Sequence, residues 1–153
     1  MSAANFNSPD QVVIAGHTGA VKRAIEVAKA AGARRAVLLP VSAPFHCELM
    51  RPAQQRLGTD LDATAFRDLE FPLINNWKAE EVRTAADARH GLFEQVPNPV
   101  RWVEVIRRLA SAEVTRFIEV GPGSVLGGLL KNVDPSLAAF RFGEAQDLEK
   151  LGA

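Results

Sequence analysis

His46 stands in the stretch Pro40-Val41-Ser42-Ala43-Pro44-Phe45-His46-Cys47, at the join between an apolar run and a helical pattern. Imidazole is the side chain that titrates nearest neutrality, so a neutral histidine at a strand end can take a proton from a nucleophile near pH 7. Beside Phe45 and Cys47 the same ring also fits a half-buried filler making one hydrogen bond, and these eight residues leave both readings open. Zinc chemistry is disfavoured, because Cys47 is the only cysteine and His17 and His90 lie in unrelated segments, with no pair at ligand spacing. His17 and His90 both read as surface. Asn5 and Asn7, in a stretch dense in turn formers, either cap a turn through their side chains or present amides to a ligand.

The elements that must position these groups follow from periodicity. Asn5 to Asp10 reads as a loop and Gln11 to Ala15 as a strand ending at Gly16. Thr18 is placed to cap a helix whose apolar face is Val21, Ala24, Ile25 and Ala28 and whose end is Gly32. Arg35 to Val41 reads as a buried strand, and Glu48 to Leu57 as a helix with Leu49, Met50, Ala53 and Leu57 on one side. Gly58 to Glu70 reads as an irregular connection, Phe71 to Ile74 as a strand, and Thr84 with Asp87 as a capping pair opening a helix. Trp77, in the polar turn after that strand, reads as a packing residue. Asn98 and Pro99 suit the N-cap and first position of a further helix with the stripe Trp102, Val105, Ile106 and Leu109. Arg116 to Val120 reads as a strand, Gly121 to Ser124 as a turn, Val125 to Val133 as a helix, Ala138 to Phe142 as a last strand, and Glu144 to Lys150 as a fraying tail. The alternation predicts an α/β fold with a largely parallel sheet and helices on its faces.

Composition narrows the class of protein. With 153 residues and 47% hydrophobic content the chain can form one domain with a sizeable core. Basic and acidic residues balance at 18 each, so no global field favours nucleic acid or an anionic membrane. One cysteine excludes an internal disulfide framework, and no apolar run is long enough to span a bilayer. With no charged-then-apolar leader pattern, these features lead to the expectation of a cytoplasmic protein.

Four blocks in order and at matching spacing carry a resemblance. These are Asn5-Phe6-Asn7-Ser8-Pro9 with Gln11 to Gly16, then Pro40 to His46, then Gln95 with Asn98 to Trp102, and then Glu119-Val120-Gly121-Pro122-Gly123. Together they resemble the C-terminal half of malonyl-CoA:acyl carrier protein transacylases and, more loosely, the acyltransferase domains of fatty acid and polyketide synthases. The resemblance implies transfer of malonyl from coenzyme A to the acyl carrier protein thiol through a malonyl-serine intermediate. It implies His46 as the catalytic general base and acid, the backbone carbonyl of Gln95 as the group that orients it, and Phe45 as a residue selecting malonyl over methylmalonyl. Asn5 and Asn7 would be minor substrate contacts. No cofactor or metal is implied beyond the substrates malonyl-CoA and phosphopantetheinylated acyl carrier protein.

The resemblance also implies a division of the chain. Residues 1–41 would be part of a small ferredoxin-like α+β subdomain, and residues 42–153 the C-terminal part of a hydrolase-like parallel sheet. The chain holds no G-x-S-x-G, so the nucleophilic serine is expected in an N-terminal half supplied in cis or in trans. A competing expectation is an inactive fragment that at most binds acyl carrier protein. A third is an anion-binding module using Gly121 to Ser124 at a helix N-terminus.

Overall fold

A computed structural model describes residues 1–151. The first element is strand β1 (Ser2–Ser8), paired antiparallel with β2 (Gln11–Ala15). The loop expected over Asn5 to Asp10 is therefore wrong for its first half, and only Pro9 and Asp10 form the turn. Asparagine disfavours strands locally, but β1 is bonded on both sides at Asn5. On the side away from β2, Phe6 N–H donates to Val100 O (2.8 Å) and Val100 N–H to Ala4 O (2.8 Å), with Asn5 and Val100 in parallel register. Long-range pairing outweighs local propensity.

Helix α1 (Thr18–Ala30) begins one residue earlier than a Thr18 cap would give: His17, exposed, is the N-cap and makes no side-chain cap bond. Its C-terminus is closed as expected by Gly32, whose φ of +90° lets Ala33 N–H return to Ala28 O at 2.9 Å.

The strand expected over Arg35 to Val41 is not present. The segment carries no ladder partner among the described residues, and Val37, Leu38, Leu39 and Val41 are all exposed. Its β-rich composition remains, but a strand exists only where a second backbone supplies hydrogen bonds.

After His46 a 3-10 turn, Glu48–Met50, leads into α2 (Arg51–Ala63), with Pro52 in its first turn. The helix outlasts the expected end at Leu57, because Leu61 is buried one turn further on and Gly58 only lowers helix propensity. Short strands β3 (Leu73–Ile74) and β4 (Glu81–Val82) pair antiparallel around the Trp77 turn, and β4 was not foreseen. Trp77 is half-buried and meets the His90 ring edge-on at 5.8 Å between centroids. Helix α3 (Ala85–Glu94) starts as expected, with Thr84 Oγ1 accepting from Asp87 N–H at 3.1 Å.

Helix α4 (Trp102–Ser111) starts later than an Asn98 cap would place it. Asn98 lies in a bend, Val100 bridges to β1 instead, and Arg101 is the N-cap. Strand β5 (Arg116–Val120), helix α5 (Val125–Val133) and strand β6 (Ala138–Phe142) form a β-α-β unit, with Arg116 opposite Ala138 and Val120 opposite Phe142. The core is Ile106 of α4, Leu130 of α5 and Leu137, flanked by Trp102, Phe117, Val133 and Ala139.

The expected fraying tail is folded, as a 3-10 turn and α6 (Leu148–Leu151). A reciprocal capping box between Glu144 and Asp147 satisfies its first N–H groups.

The architecture is thus α/β, with a correction to the sheet. Among the described residues three two-stranded sheets replace one largely parallel sheet; β5 and β6 form the parallel ladder, and the Asn5–Val100 bridge is also parallel. Among the described residues no helix is long and apolar enough to cross a membrane.

Candidate functional site

His46 lies on the link into α2 with φ of +58°, in the left-handed region. That conformation costs a residue with a Cβ on the order of 1–3 kcal/mol and persists only where the surroundings over-determine it. Here the determinants are visible. Cys47, buried, donates its thiol to Pro44 O at 3.1 Å, tying the residues on either side of His46 together. The ring itself is held by two main-chain carbonyls, Gln95 O at 3.0 Å and Asn98 O at 3.1 Å, both from Nδ1.

Two carbonyls can only accept, so Nδ1 must carry the proton. The neutral ring is then the tautomer whose Nε2 bears the lone pair. Among the described residues Nε2 makes no hydrogen bond, and the half-buried ring leaves it available to a reacting group.

The local sequence explains why those carbonyls are free. In a continuing helix, Phe93 O would accept from residue 97 and Gln95 O from residue 99, but both of those are proline and have no N–H. Between them, Asn98 folds its amide back, donating from Nδ2 to Glu94 O at 2.7 Å. Gln95-Val96-Pro97-Asn98-Pro99 is therefore a segment that ends α3 with outward-facing acceptors. Asn98 was expected as a helix cap; its observed roles, as a carbonyl acceptor for His46 and an amide donor to α3, were not foreseen. The proline spacing was the available signal.

The other candidate residues are placed as follows. Phe45 is half-exposed directly before His46. Asn5 and Asn7 are half-buried on β1, and Asn5 pairs with Val100, two residues beyond the Asn98 carbonyl. The backbone of β1 thus abuts the segment that holds His46. Gln54, overlooked in the sequence, is fully buried and donates from Nε2 to Phe93 O at 3.1 Å. Its signal was a polar residue in register with Met50, Leu57 and Leu61 on the apolar side of α2.

Beyond the Gly121-Pro122-Gly123-Ser124 turn, the first turn of α5 is capped by a carboxylate of this chain. Glu119 accepts from Leu126 N–H at 3.0 Å and from Gly127 N–H at 2.8 Å. The bond from Gly127, then that from Leu126, holds the Glu119 carboxyl below the usual carboxylate range. Gly121 and Gly123, with φ of +127° and +95°, bend the chain back for this contact. The α5 N–H groups of Leu126 and Gly127 are thus taken by Glu119. Among the described residues no three His, Cys, Asp or Glu side chains converge as a metal site.

A histidine fixed by main-chain carbonyls, with its second nitrogen free, is chemically able to exchange a proton with a bound group. No protein-family model matches the chain. Along nearly its whole length it is homologous to the malonyl CoA-acyl carrier protein transacylases: it is 44% identical over 146 residues to that of Bacillus subtilis, covering 95% of this chain and 46% of the relative. To the Escherichia coli K12 transacylase it is 46% identical over 145 residues, covering 94% of this chain and 47% of the relative. Among solved structures, the acyl-carrier-protein S-malonyltransferase of Burkholderia pseudomallei superposes with a TM-score of 0.93 at 41% identity, over 99% of this chain and 50% of that one. A malonyl-transacylase in complex with a type II PKS acyl-carrier protein superposes equally well, at 0.93 and 43% identity, over 97% of this chain and 48% of that one. The chain spans about half the length of the curated relatives it matches.

Proposed function

We propose that this chain is the histidine-bearing C-terminal half of an acyl carrier protein S-malonyltransferase of fatty acid biosynthesis, acting in the cytoplasm. Residues 1–41 contribute to a small ferredoxin-like subdomain and residues 42–153 to the hydrolase-like subdomain. A separate N-terminal half, in cis or in trans, supplies the serine. The observation that carries this reading is the pair of carbonyls on His46 Nδ1, which leaves Nε2 as the base.

In the reaction, Nε2 accepts the proton of the serine hydroxyl as its oxygen attacks the malonyl thioester carbonyl. Positive charge on the ring is stabilised by the Gln95 and Asn98 carbonyls, which take the place of a triad carboxylate. Collapse of the tetrahedral adduct breaks the C–S bond, and His46 returns its proton to the departing coenzyme A thiolate. The second half reverses the roles: His46 deprotonates the phosphopantetheine thiol of acyl carrier protein, the thiolate attacks malonyl-serine, and the serine recovers its proton. No further cofactor is needed for this balance. Phe45, at the lip of the site, crowds the space beside the malonyl methylene.

The test is malonyl transfer from malonyl-CoA to acyl carrier protein by this chain mixed with the serine-bearing half of the Bacillus subtilis relative. Transfer that requires both halves and disappears with His46→Ala supports the reading. A folded mixture without transfer overturns it and leaves at most a carrier-protein-binding fragment.

A further inference from the structure

Gln54 lies at the centre of a hydrogen-bonded ring that closes on His46. Its side chain is fully buried, with a relative exposure of 0%. A buried amide in an apolar helix face costs free energy unless both ends are bonded. Gln54 Nε2 donates to Phe93 O at 3.1 Å, and its Oε1 faces Arg51 Nη1 at 3.4 Å. Arg51 in turn forks onto Glu48, through Nη2 to Oε1 at 2.9 Å and through Nε to Oε2. Glu48 is two residues beyond His46, so the ring starts and ends at the histidine's own segment.

The end of α3 supplies the other side of the ring. Its three successive carbonyls each have a different claimant: Phe93 O takes Gln54, Glu94 O takes the Asn98 amide, and Gln95 O takes His46 Nδ1. Pro97 removes the N–H that would otherwise have bonded Phe93 O, so Gln54 replaces a lost helical hydrogen bond with one from a different helix. The orientation of the Phe93 peptide is thereby referred to α2, and the Gln95 carbonyl, two peptides on, is aimed from it.

We infer that Gln54 is a positioning residue for His46: through the Phe93 carbonyl it aims the Gln95 carbonyl at Nδ1 and so fixes the tautomer whose Nε2 is the base. The link to catalysis rests on the function proposed above; the link to the tautomer does not. A residue that merely fills space would be replaced without consequence by one of similar volume.

The experiment compares this chain, isotope-labelled and mixed with the unlabelled serine-bearing half, with its Gln54→Met variant, which keeps the volume and loses the amide, prepared the same way. Imidazole 15N shifts report the tautomer of each histidine at a pH where the rings are neutral. The expected result is a fall of roughly 2- to 10-fold in the Nδ1–H to Nε2–H ratio of His46, the equilibrium worth of one hydrogen bond, with His17 and His90 unchanged. An unchanged ratio in the folded variant overturns the proposal. Should Gln54→Met not fold, the wild-type chain still decides: a scalar coupling across the bond from Gln54 Nε2 to the Phe93 carbonyl carbon is expected, and its absence overturns the proposal.

In the reconstituted transferase the same substitution is expected to lower kcat and displace its pH profile, with KM for malonyl-CoA unchanged. A KM effect alone would overturn the positioning role. Failure of the wild-type reconstitution would instead remove the proposed function and leave the tautomer result standing.

Discussion

His46 owes its orientation to the main chain rather than to a partner side chain. Because a carbonyl is present whatever residue bears it, replacing Gln95 by alanine keeps the acceptor on Nδ1. In the reconstituted enzyme Gln95→Ala is expected to retain transfer within about tenfold, whereas His46→Ala, which removes the proton carrier, loses roughly 10²- to 10⁴-fold. Initial rates under saturating acyl carrier protein check this, and equal losses would refute the carbonyl assignment. Phe45 is expected to act on selectivity alone. A pocket that excludes one methyl group discriminates by about 10- to 200-fold, so Phe45→Ala should raise the kcat/KM for methylmalonyl-CoA relative to malonyl-CoA by about an order of magnitude. Competition between the two thioesters measures that ratio directly.

At the scale of elements, helix ends matter more than helix interiors. The C-terminus of α3 is left open by Pro97 and Pro99, and the freed acceptors become the histidine's mount. The N-terminus of α5 is closed by Glu119, which does the work that the Ser124 side chain at the N-cap does not. The Glu119 carboxyl is held below its ordinary value by the α5 N–H groups, so its contribution to folding is complete above the unfolded-state pKa and is lost as pH falls through the lower folded-state value. Glu119→Gln is therefore expected to lower Tm at pH 7, with the gap from wild type closing toward pH 3. Thermal melts followed by circular dichroism across that range check the sign, and a gap that widens on acidification would exclude the capping role.

For the whole molecule, the informative surface is apolar. Val37, Leu38, Leu39 and Val41 form an extended run with no ladder partner among the described residues, and Ile118, Val120 and Val125 are exposed around β5 and α5. Parallel strands are ordinarily covered on both faces, so under the proposed function this surface is expected to be covered by the serine-bearing half. In isolation the chain is expected to bind a hydrophobic dye and to elute from a sizing column as associated species. Adding the serine-bearing half should suppress both. A clean monomer with no dye binding would argue against a shared core.

Local chemistry was legible without coordinates: the α1 stop at Gly32, the Thr84 cap, the α4 stripe of Trp102, Val105, Ile106 and Leu109, of which Val105 and Ile106 are buried together with the unforeseen Val103, and the β5-α5-β6 unit follow from spacing and side-chain type. The blocks around His46, Gln95 and Gly121 likewise pointed to one family. Tertiary structure decided the features whose partners lie far along the chain. Asn5 and Asn7 entered a strand because β2 and Val100 bracket it, and Arg35 to Val41 did not because nothing among the described residues pairs with it. The mount of His46 and the burial of Gln54 depend on α2 and the end of α3 meeting. The physical reason is the same in each case: a hydrogen bond needs both of its groups in place, and one-dimensional periodicity places only one of them.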